Sequence, residues 1–508
     1  MYLLGAIIKK GIELNQTIAD VFSSQGDEQV GQLKSLLETA KDTAFGKYYG
    51  FAQLLESEDI EQAFKTSVPI FDYHTMHDTW WVQQLKYPDI SWPGSPSFFA
   101  MSSGTTGKKS KRIPVTDDFI QSMRDVGKSL IRELPNYNLP EELFTSEVLL
   151  LSSSADLNEH DEGHLEGEIS GINVSNFPEW YNFFYRPGSE IAKIDDWDER
   201  LAAIVKEAPE WNIGAIAGIP SWVMLMLQAI IKEYGLETIH DIWPNFSLYA
   251  SGGVAFETYR TDFDAICAKD IVIMDTYLAS EGFFSYTANP GSMSMRLATS
   301  HYYYYEFIPF DERGVDDQGG LLDDPLSLRL QEVEMEQDYV LIISTCSGAW
   351  RYLIGDTIRF TSLDPYEIVI TGRTKFFLNV VGSQLSEEKM DAAIVDVSEE
   401  LNVTANEYAV GALQNDAGEY YHQWVVVSDD EIDSENFKNL LDENLQQANK
   451  NYKVARSKAL KHMKLKVISK NVYHDYLGQK KKKGGQIKTP KVMKAERMND
   501  FIKFIDKS

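Results

Sequence analysis

Two kinds of apolar pattern succeed one another along the chain. Over residues 26–57, Val30, Leu33, Leu36 and Leu37 recur at helical spacing and predict a helix. Ahead of it, Met1 to Ile8 is apolar but is followed by Lys9, Lys10, Glu13 and Asp20. That start predicts an amphipathic helix to about Phe22, too short and too charged for a signal peptide or a membrane span. From Glu147 onward the pattern becomes short apolar runs, each closed by small polar residues. Glu147 to Ser152 ends in serines. Ile213 to Ala217 leads into Pro220-Ser221-Trp222 and a helix to about Tyr234. Phe246 to Ala250 leads into Ser251-Gly252-Gly253 and a helix from Phe256, and Ile271 to Met274 is a fourth run. Recurring strand–loop–helix units predict a parallel sheet with its working loops at the strand C-termini.

Later segments are aromatic-rich and β-like. Phe283 to Tyr286, Tyr302 to Pro309, Tyr339 to Thr345 and Ile358 to Thr361 predict an antiparallel sheet or small barrel beside the parallel core. His301-Tyr302-Tyr303-Tyr304-Tyr305 reads as a strand packed on both faces. Beyond Gly372-Arg373-Thr374-Lys375 the order is helix (Ser386 to Leu401, capped by Ser386), strands (Tyr408 to Leu413, Tyr420 to Val427), helix (Asp433 to Asn449), strand (His462 to Ser469) and a terminal helix. The expected fold class is therefore α/β. A large N-terminal domain, residues 1–371, carries mostly parallel sheet flanked by helices plus a β-barrel-like subregion. A small α+β domain, residues 372–508, follows.

Charge narrows the function. Lys and Arg number 48 against 77 Asp and Glu, a net charge of −29. Such a surface repels nucleic acid and anionic membranes, so any anion must bind in a local basic pocket. No apolar run reaches about 18 residues, so no transmembrane helix is expected. Cys267 and Cys346 are the only cysteines, which excludes a disulfide framework and a cysteine zinc cluster and fits a cytoplasmic protein. The histidines lack zinc-ligand spacing, so no structural metal is expected.

The strongest chemical signal is Phe98-Phe99-Ala100-Met101-Ser102-Ser103-Gly104-Thr105-Thr106-Gly107-Lys108-Lys109-Ser110-Lys111-Arg112-Ile113-Pro114. Hydroxyls and backbone N–H groups, freed by glycine to approach closely, can surround a polyphosphate that Lys and Arg neutralise. It is not a P-loop: position 102 is Ser where that motif needs Gly, and Lys109 follows Lys108. Read alone, it is equally a solvated turn. The helix from Thr116 or Asp117 to about Leu134 would turn its positive end toward this loop. Downstream, Asp275-Thr276-Tyr277-Leu278-Ala279-Ser280-Glu281-Gly282 follows a predicted strand; its carboxylate suits Mg²⁺ bridged to a triphosphate, or a surface turn. Asp356, in Trp350-Arg351-Tyr352-Leu353-Ile354-Gly355-Asp356, is expected in a turn between strands, where it could accept ribose hydroxyls or merely shape a hairpin. Arg373 and Lys375 sit at the domain junction. Lys488 lies on a turn bracketed by Gly484-Gly485 and Pro490, beside a Lys480–Lys483 run that is most simply a solvated face. The stretch Asp156 to Glu168, with His160 and His164, reads as a solvated loop or part of a substrate pocket.

Five motifs then stand in order: the phosphate loop, Ser-Gly-Gly at 251–253, Tyr-x-x-Ser-Glu at 277–281, Tyr-x-x-Gly-Asp at 352–356, and Gly-Arg-x-Lys with a later Gly at 372–382. This order resembles the acyl- and aryl-adenylating superfamily that includes acyl-CoA ligases. Within it the chain resembles the auxin-responsive Gretchen Hagen family of acyl-acid amido synthetases over nearly its whole length. The Phe-Phe approach to the loop, its Ile-Pro exit, Arg-Tyr-x-x-Gly-Asp and Gln-x-Lys-Thr-Pro near the C-terminus carry that resemblance. It implies ATP and Mg²⁺ as cofactors, with a small carboxylic acid and an amino acid as substrates. It implies that Ser102, Ser103, Gly104, Thr105 and Thr106 cradle phosphates, and that Gly252, Gly253 and Tyr277 line the adenine. It further implies that Glu281 holds Mg²⁺, Asp356 the ribose and Arg373 the nucleotide, with Lys375 at the domain hinge and Lys488 reaching the acyl-phosphate. The plant family aligns Lys111 as the acting loop lysine and the general ligases Lys109; where the plant members carry glycine, this chain has Lys108. An acyl-CoA ligase with a thiol acceptor, or a nucleotide-binding protein without turnover, remain alternatives at this level.

Overall fold

The computed structural model describes residues 6–13, 15–16, 28–102, 111–160, 163–253, 256–316, 319–374, 385, 387–405, 407–415, 420–449, 452–453, 455–456, 460, 462–479 and 491–508. Ser103, Gly104, Thr105 and Thr106 of the phosphate loop, Lys375, Lys488 and the expected cap Ser386 lie outside these residues.

The frame is one eleven-stranded sheet. Its parallel half contains β3 (Glu147–Leu151), β6 (Tyr185–Arg186), β7 (Ile213–Gly218), β8 (Leu248–Gly252) and β9 (Val272–Ala279). Helical crossovers join them. The one between β7 and β8, Pro220–Tyr234, opens on Pro at its first turn, where the missing N–H costs nothing, and closes on left-handed Gly235. The antiparallel half contains β10 (Gly282–Thr287), β11 (Met295–Leu297), β12 (Tyr303–Pro309), β13 (Asp338–Thr345), β14 (Ala349–Leu363) and β15 (Tyr366–Arg373). The spatial order is β12-β13-β14-β15-β11-β10-β9-β8-β7-β3-β6. The antiparallel strands thus do not stand beside the parallel core. They are hydrogen-bonded into it, because β9 turns straight into β10 as a hairpin. Tyr303, Tyr304 and Tyr305 are buried on both faces of β12, as the aromatic run predicts.

The single helix expected over 26–57 is three: Glu28–Ala40, Ala44–Tyr48 and Phe51–Leu54. Thr43 caps the second through its hydroxyl, and Gly50 turns left-handed before the third. The breaks let Phe45 and Phe51 pack with Phe64 and Trp350 under the antiparallel half.

A second, four-stranded sheet has the order β2-β1-β5-β4. It contains β1 (Phe98–Ser102), β2 (Lys111–Val115), β4 (Asn158–Glu159) and β5 (Leu165–Gly167). The Asp156–Glu168 stretch is therefore structural in part: it extends the hairpin that carries the phosphate loop. The C-terminal unit has a third sheet, ordered β18-β17-β16-β19, from β16 (Glu407–Gln414), β17 (Tyr420–Val427), β18 (His462–Ile468) and β19 (Val492–Met493). Helices Glu387–Leu401 and Ser434–Ala448 cover one face over Ile394, Trp424 and Leu441; Lys470–Gln479 and Ala495–Ile505 cover the other over Tyr476 and Phe501. Among the described residues no helix is long and apolar enough to cross a membrane.

Candidate active site

The parallel strands end on a common edge, where Leu151 pairs with Gly218, Gly218 with Ser251 and Gly252 with Thr276. At Gly252 a Cβ would lie 2.8 Å from the Thr276 hydroxyl, so only glycine lets β8 and β9 close up there, and Gly253 follows with φ +86°. β9 does not stop at Met274, as the apolar run alone predicts, but continues to Ala279. Its last residues alternate in burial because the strand leaves the helix-covered part of the sheet. Glu281 then sits in the two-residue turn between Ala279 and Gly282. Gly282 is required beside it: a Cβ would meet the Phe284 ring at 2.4 Å.

Glu281 is 7% exposed, and burial lifts its pKa above the ordinary carboxylate range, while Lys111 and Arg373 pull it down and Asp356 pushes it up. Those three residues come from three separate segments. Asp356 is expected in a turn, but it lies inside the fifteen-residue β14, opposite Arg373 on β15. The Gly-Asp signal is a bulge rather than a turn: Gly355 has φ +92°, its carbonyl accepts from Thr374 N at 2.9 Å, and the register shifts between Thr357 and Ile358. Both Asp356 oxygens are engaged. Arg373 Nε lies 2.7 Å from Oδ1, and the buried Tyr277 hydroxyl donates to Oδ2 at 2.5 Å. Burial, then the Asp356 charge, holds the Tyr277 phenol well above its usual pKa, so it stays a donor. Tyr352, one strand pair away and fully buried, leaves its hydroxyl without a partner among the described residues and faces the Glu281 charge.

The ends of the phosphate loop meet at the Ser102–Lys111 pair of the β1–β2 hairpin. The helix N-terminus expected to face the loop does not. Thr116 caps the helix Asp117–Glu133, but β2 intervenes, and four residue steps along a strand carry that terminus about 13 Å away. Asp117 and Asp118 occupy its first turn, where Asp118 accepts from the Trp92 indole at 2.9 Å. The basic exit of the loop is held instead by side chains that no motif marks. Arg112 Nε pairs with Glu166 of β5 at 2.8 Å, and Tyr73 lies under Lys111. Tyr73 and Glu166 come 38 residues before and 55 after Lys111 in numbering, so only strand pairing could have revealed them.

The arrangement gathers two buried carboxylates, two cations and a phenol at the C-terminal edge of a parallel sheet, next to a hairpin loop rich in hydroxyls. That is a site for a phosphorylated, ribose-bearing ligand. Among the described residues no group of three His, Cys, Asp or Glu could hold a metal by itself.

Comparison with known proteins agrees with this geometry. The fold is similar to that of the GH3.15 acyl acid amido synthetase, with a TM-score of 0.76 at 14% identity, covering 98% of this chain and 96% of that one. A 2-hydroxyisobutyryl-CoA ligase solved with its acyl-AMP is similar at TM-score 0.57 and 12% identity, over 94% and 91% of the two chains. In sequence, a jasmonoyl–L-amino acid synthetase of Nicotiana attenuata is 21% identical over 93% of this chain and 92% of its own length. An indole-3-acetic acid-amido synthetase of Arabidopsis thaliana is 24% identical over 32% and 30%. Residues 15–206 match the GH3 family N-terminal domain, 297–373 its central domain and 388–497 its C-terminal domain. With all three domains matched in order, the chain belongs to the GH3 family.

Proposed function

We propose that this chain is an acyl-acid amido synthetase, an adenylate-forming ligase that uses ATP to join a small carboxylic acid to an amino acid. The observation that carries the reading is the buried ring of Glu281, Lys111, Arg373, Asp356 and Tyr277 beside the phosphate-loop hairpin. In the first half-reaction an oxygen of the acid attacks the α-phosphorus of ATP, and the bond to pyrophosphate breaks. In the second, the amine nitrogen attacks the acyl carbon, the bond to AMP breaks, and the nitrogen gives up a proton. Little covalent help is needed from the protein; charge neutralisation and in-line positioning do most of the work.

The roles divide as follows. Ser102 and Lys111 bound the loop whose Ser103, Gly104, Thr105 and Thr106 cradle the phosphates. The backbone at Gly252 and Gly253, with the Tyr277 ring, borders the adenine. Asp356 takes the ribose hydroxyls through lone pairs beyond those given to Tyr277 and Arg373, each carboxylate oxygen accepting about two hydrogen bonds. Arg373 contacts the nucleotide. Lys488 belongs to the C-terminal segment and reaches the acyl-phosphate, with Lys375 as hinge. A single buried carboxylate without two acidic companions suits Mg²⁺, which takes one or two protein carboxylates and leaves its other positions to phosphate and water; Glu281 would hold it, and it would neutralise phosphate charge. The two free thiols and the acidic surface fit the cytoplasm. The names of the relatives favour an amine acceptor over a thiol.

The test is ATP–pyrophosphate exchange across a panel of carboxylic acids, followed by AMP release with amino acids or with coenzyme A. Acid-dependent exchange and amino-acid-dependent AMP release are expected. Exchange with thiol-dependent release would make it an acyl-CoA ligase, and no exchange with any acid would make it a nucleotide-binding protein without turnover.

A further inference from the structure

We infer that Tyr73 is a positioning residue for the phosphate-loop hairpin: its ring carries the Lys111 ammonium and its hydroxyl holds the Arg112 backbone, so that the basic end of the loop is presented to Glu281. This rests on the adenylation reading for its consequence in turnover, but not for its geometry. The Lys111 ammonium lies 5.3 Å from the centre of the Tyr73 ring. The Arg112 N–H donates to the Tyr73 hydroxyl at 2.9 Å. Lys111 is the residue that closes the hairpin opposite Ser102, and its charge acts on Glu281.

Tyr73 is itself rigidly mounted. It opens the helix Tyr73–Met76 under a reciprocal cap, in which Asp72 Oδ1 accepts from Thr75 N at 2.8 Å and Thr75 Oγ1 accepts from Asp72 N at 3.0 Å. Two residues earlier, Phe71 is hydrogen-bonded on both sides to β14, donating to the Arg351 carbonyl at 3.0 Å and accepting from Leu353 N at 2.8 Å. The ring stacks on His77 at 5.1 Å and touches buried Trp81 at 6.3 Å between centroids. Tyr73 therefore ties the loop exit to the strand that bears Asp356. An aromatic face suits the task. A lysine stem has many rotamers, and a carboxylate partner would order it only by cancelling the charge that a phosphate needs. A π face orders the ammonium and leaves its N–H groups and most of its charge available.

Two measurements test this, the first without any enzymatic readout. Lysines are dimethylated with ¹³C-formaldehyde, and the Lys111 signal is assigned by its loss in Lys111→Arg. In the unaltered chain that signal should be shifted upfield by the Tyr73 ring current; Tyr73→Phe should keep the shift and Tyr73→Leu should abolish it. A Lys111 signal at the position of solvent-exposed lysines, or one unmoved in Tyr73→Leu, overturns the inference. The second is pyrophosphate exchange. Loss of a cation–π contact should raise the KM for ATP about 3- to 30-fold in Tyr73→Leu, with the KM for the acid unchanged and Tyr73→Phe recovering most of the difference. Equal losses toward both substrates, with no recovery in Tyr73→Phe, would make Tyr73 a core residue only. If no acid supports exchange while the ring-current result holds, the adenylation reading fails and the positioning stands.

Discussion

Glu281 combines burial with charge of both signs within one turn. Burial raises its pKa, and the nearby Lys111 and Arg373 oppose the rise without cancelling it. A protonated carboxyl cannot hold a divalent cation, so exchange activity should fall with falling pH through a midpoint above the ordinary glutamate value of about 4.3. Glu281→Gln keeps the shape but lacks the charge. It should be nearly inactive at every pH and show no acid limb; the same limb in the variant would assign it to another group. For stability the sign reverses. The folded chain takes up this proton at a higher pH than the unfolded chain, so stability relative to Glu281→Gln is greatest at low pH and declines as pH rises through the folded pKa. Thermal melts of both proteins at acidic and neutral pH check it. Glu281, Asp356, Tyr277 and Arg373 were legible as motif residues because each sits a fixed distance from a glycine or a strand end. Tyr73, Glu166 and Tyr352 were not legible as site neighbours, since nothing local to them records which strand they will face.

β14 is the element that organises the site, and a buried ion pair holds it in place. Arg351, in the left-handed region at φ +40°, reaches Glu306 of β12 at 2.8 Å and donates to the carbonyls of Lys65 and Val68 at 2.7 and 2.6 Å. Ser327 donates to the same carboxylate at 2.7 Å. Arg351→Met would leave Glu306 buried with one hydroxyl for company. The expected cost is about 3–5 kcal/mol, read as a shift in the urea midpoint. Adding Glu306→Gln should recover part of it, since removing both charges leaves no uncompensated one. Simple additivity of the two changes would show that the pair is not coupled. The pattern of the sequence placed most strands of this half correctly but drew them as separate short runs. β14 was read as two pieces because Gly355-Asp356 has the composition of a turn; the flanking pairing to β13 and β15 converts it into a bulge within one strand.

The C-terminal unit meets the large sheet through a few polar contacts. The Tyr259 hydroxyl donates to Glu407, Tyr473 donates to the same carboxylate at 3.5 Å, and Lys470 lies 3.4 Å from Asp262. Lys491 is anchored inside the unit, 2.7 Å from Asp391, and its carbonyl accepts from Val410 N at 2.7 Å. Lys488, three residues earlier, therefore travels with this unit and acts on the acyl-phosphate only when the two parts close together. Lys488→Ala should slow adenylation about 100- to 1000-fold and leave aminolysis of pre-made acyl-adenylate largely intact. Exchange assays beside single-turnover aminolysis on one preparation decide it: equal loss in both steps would mean a lysine that stays in place throughout.

At the scale of the whole molecule, local chemistry in the chain was enough for the parallel half, the α+β character of the C-terminus, the phosphate loop and the family. Apolar periodicity and glycine–hydroxyl clusters are short-range signals, and a family signature is a linear order of them. Only the folded chain decided that the two halves form one sheet, that Asp156 to Glu168 builds the hairpin's own sheet, and that both oxygens of Asp356 are already engaged. Each of those depends on which strands pair across more than a dozen residues. Pairing is chosen by the burial of the whole sheet, not by any single stretch of it.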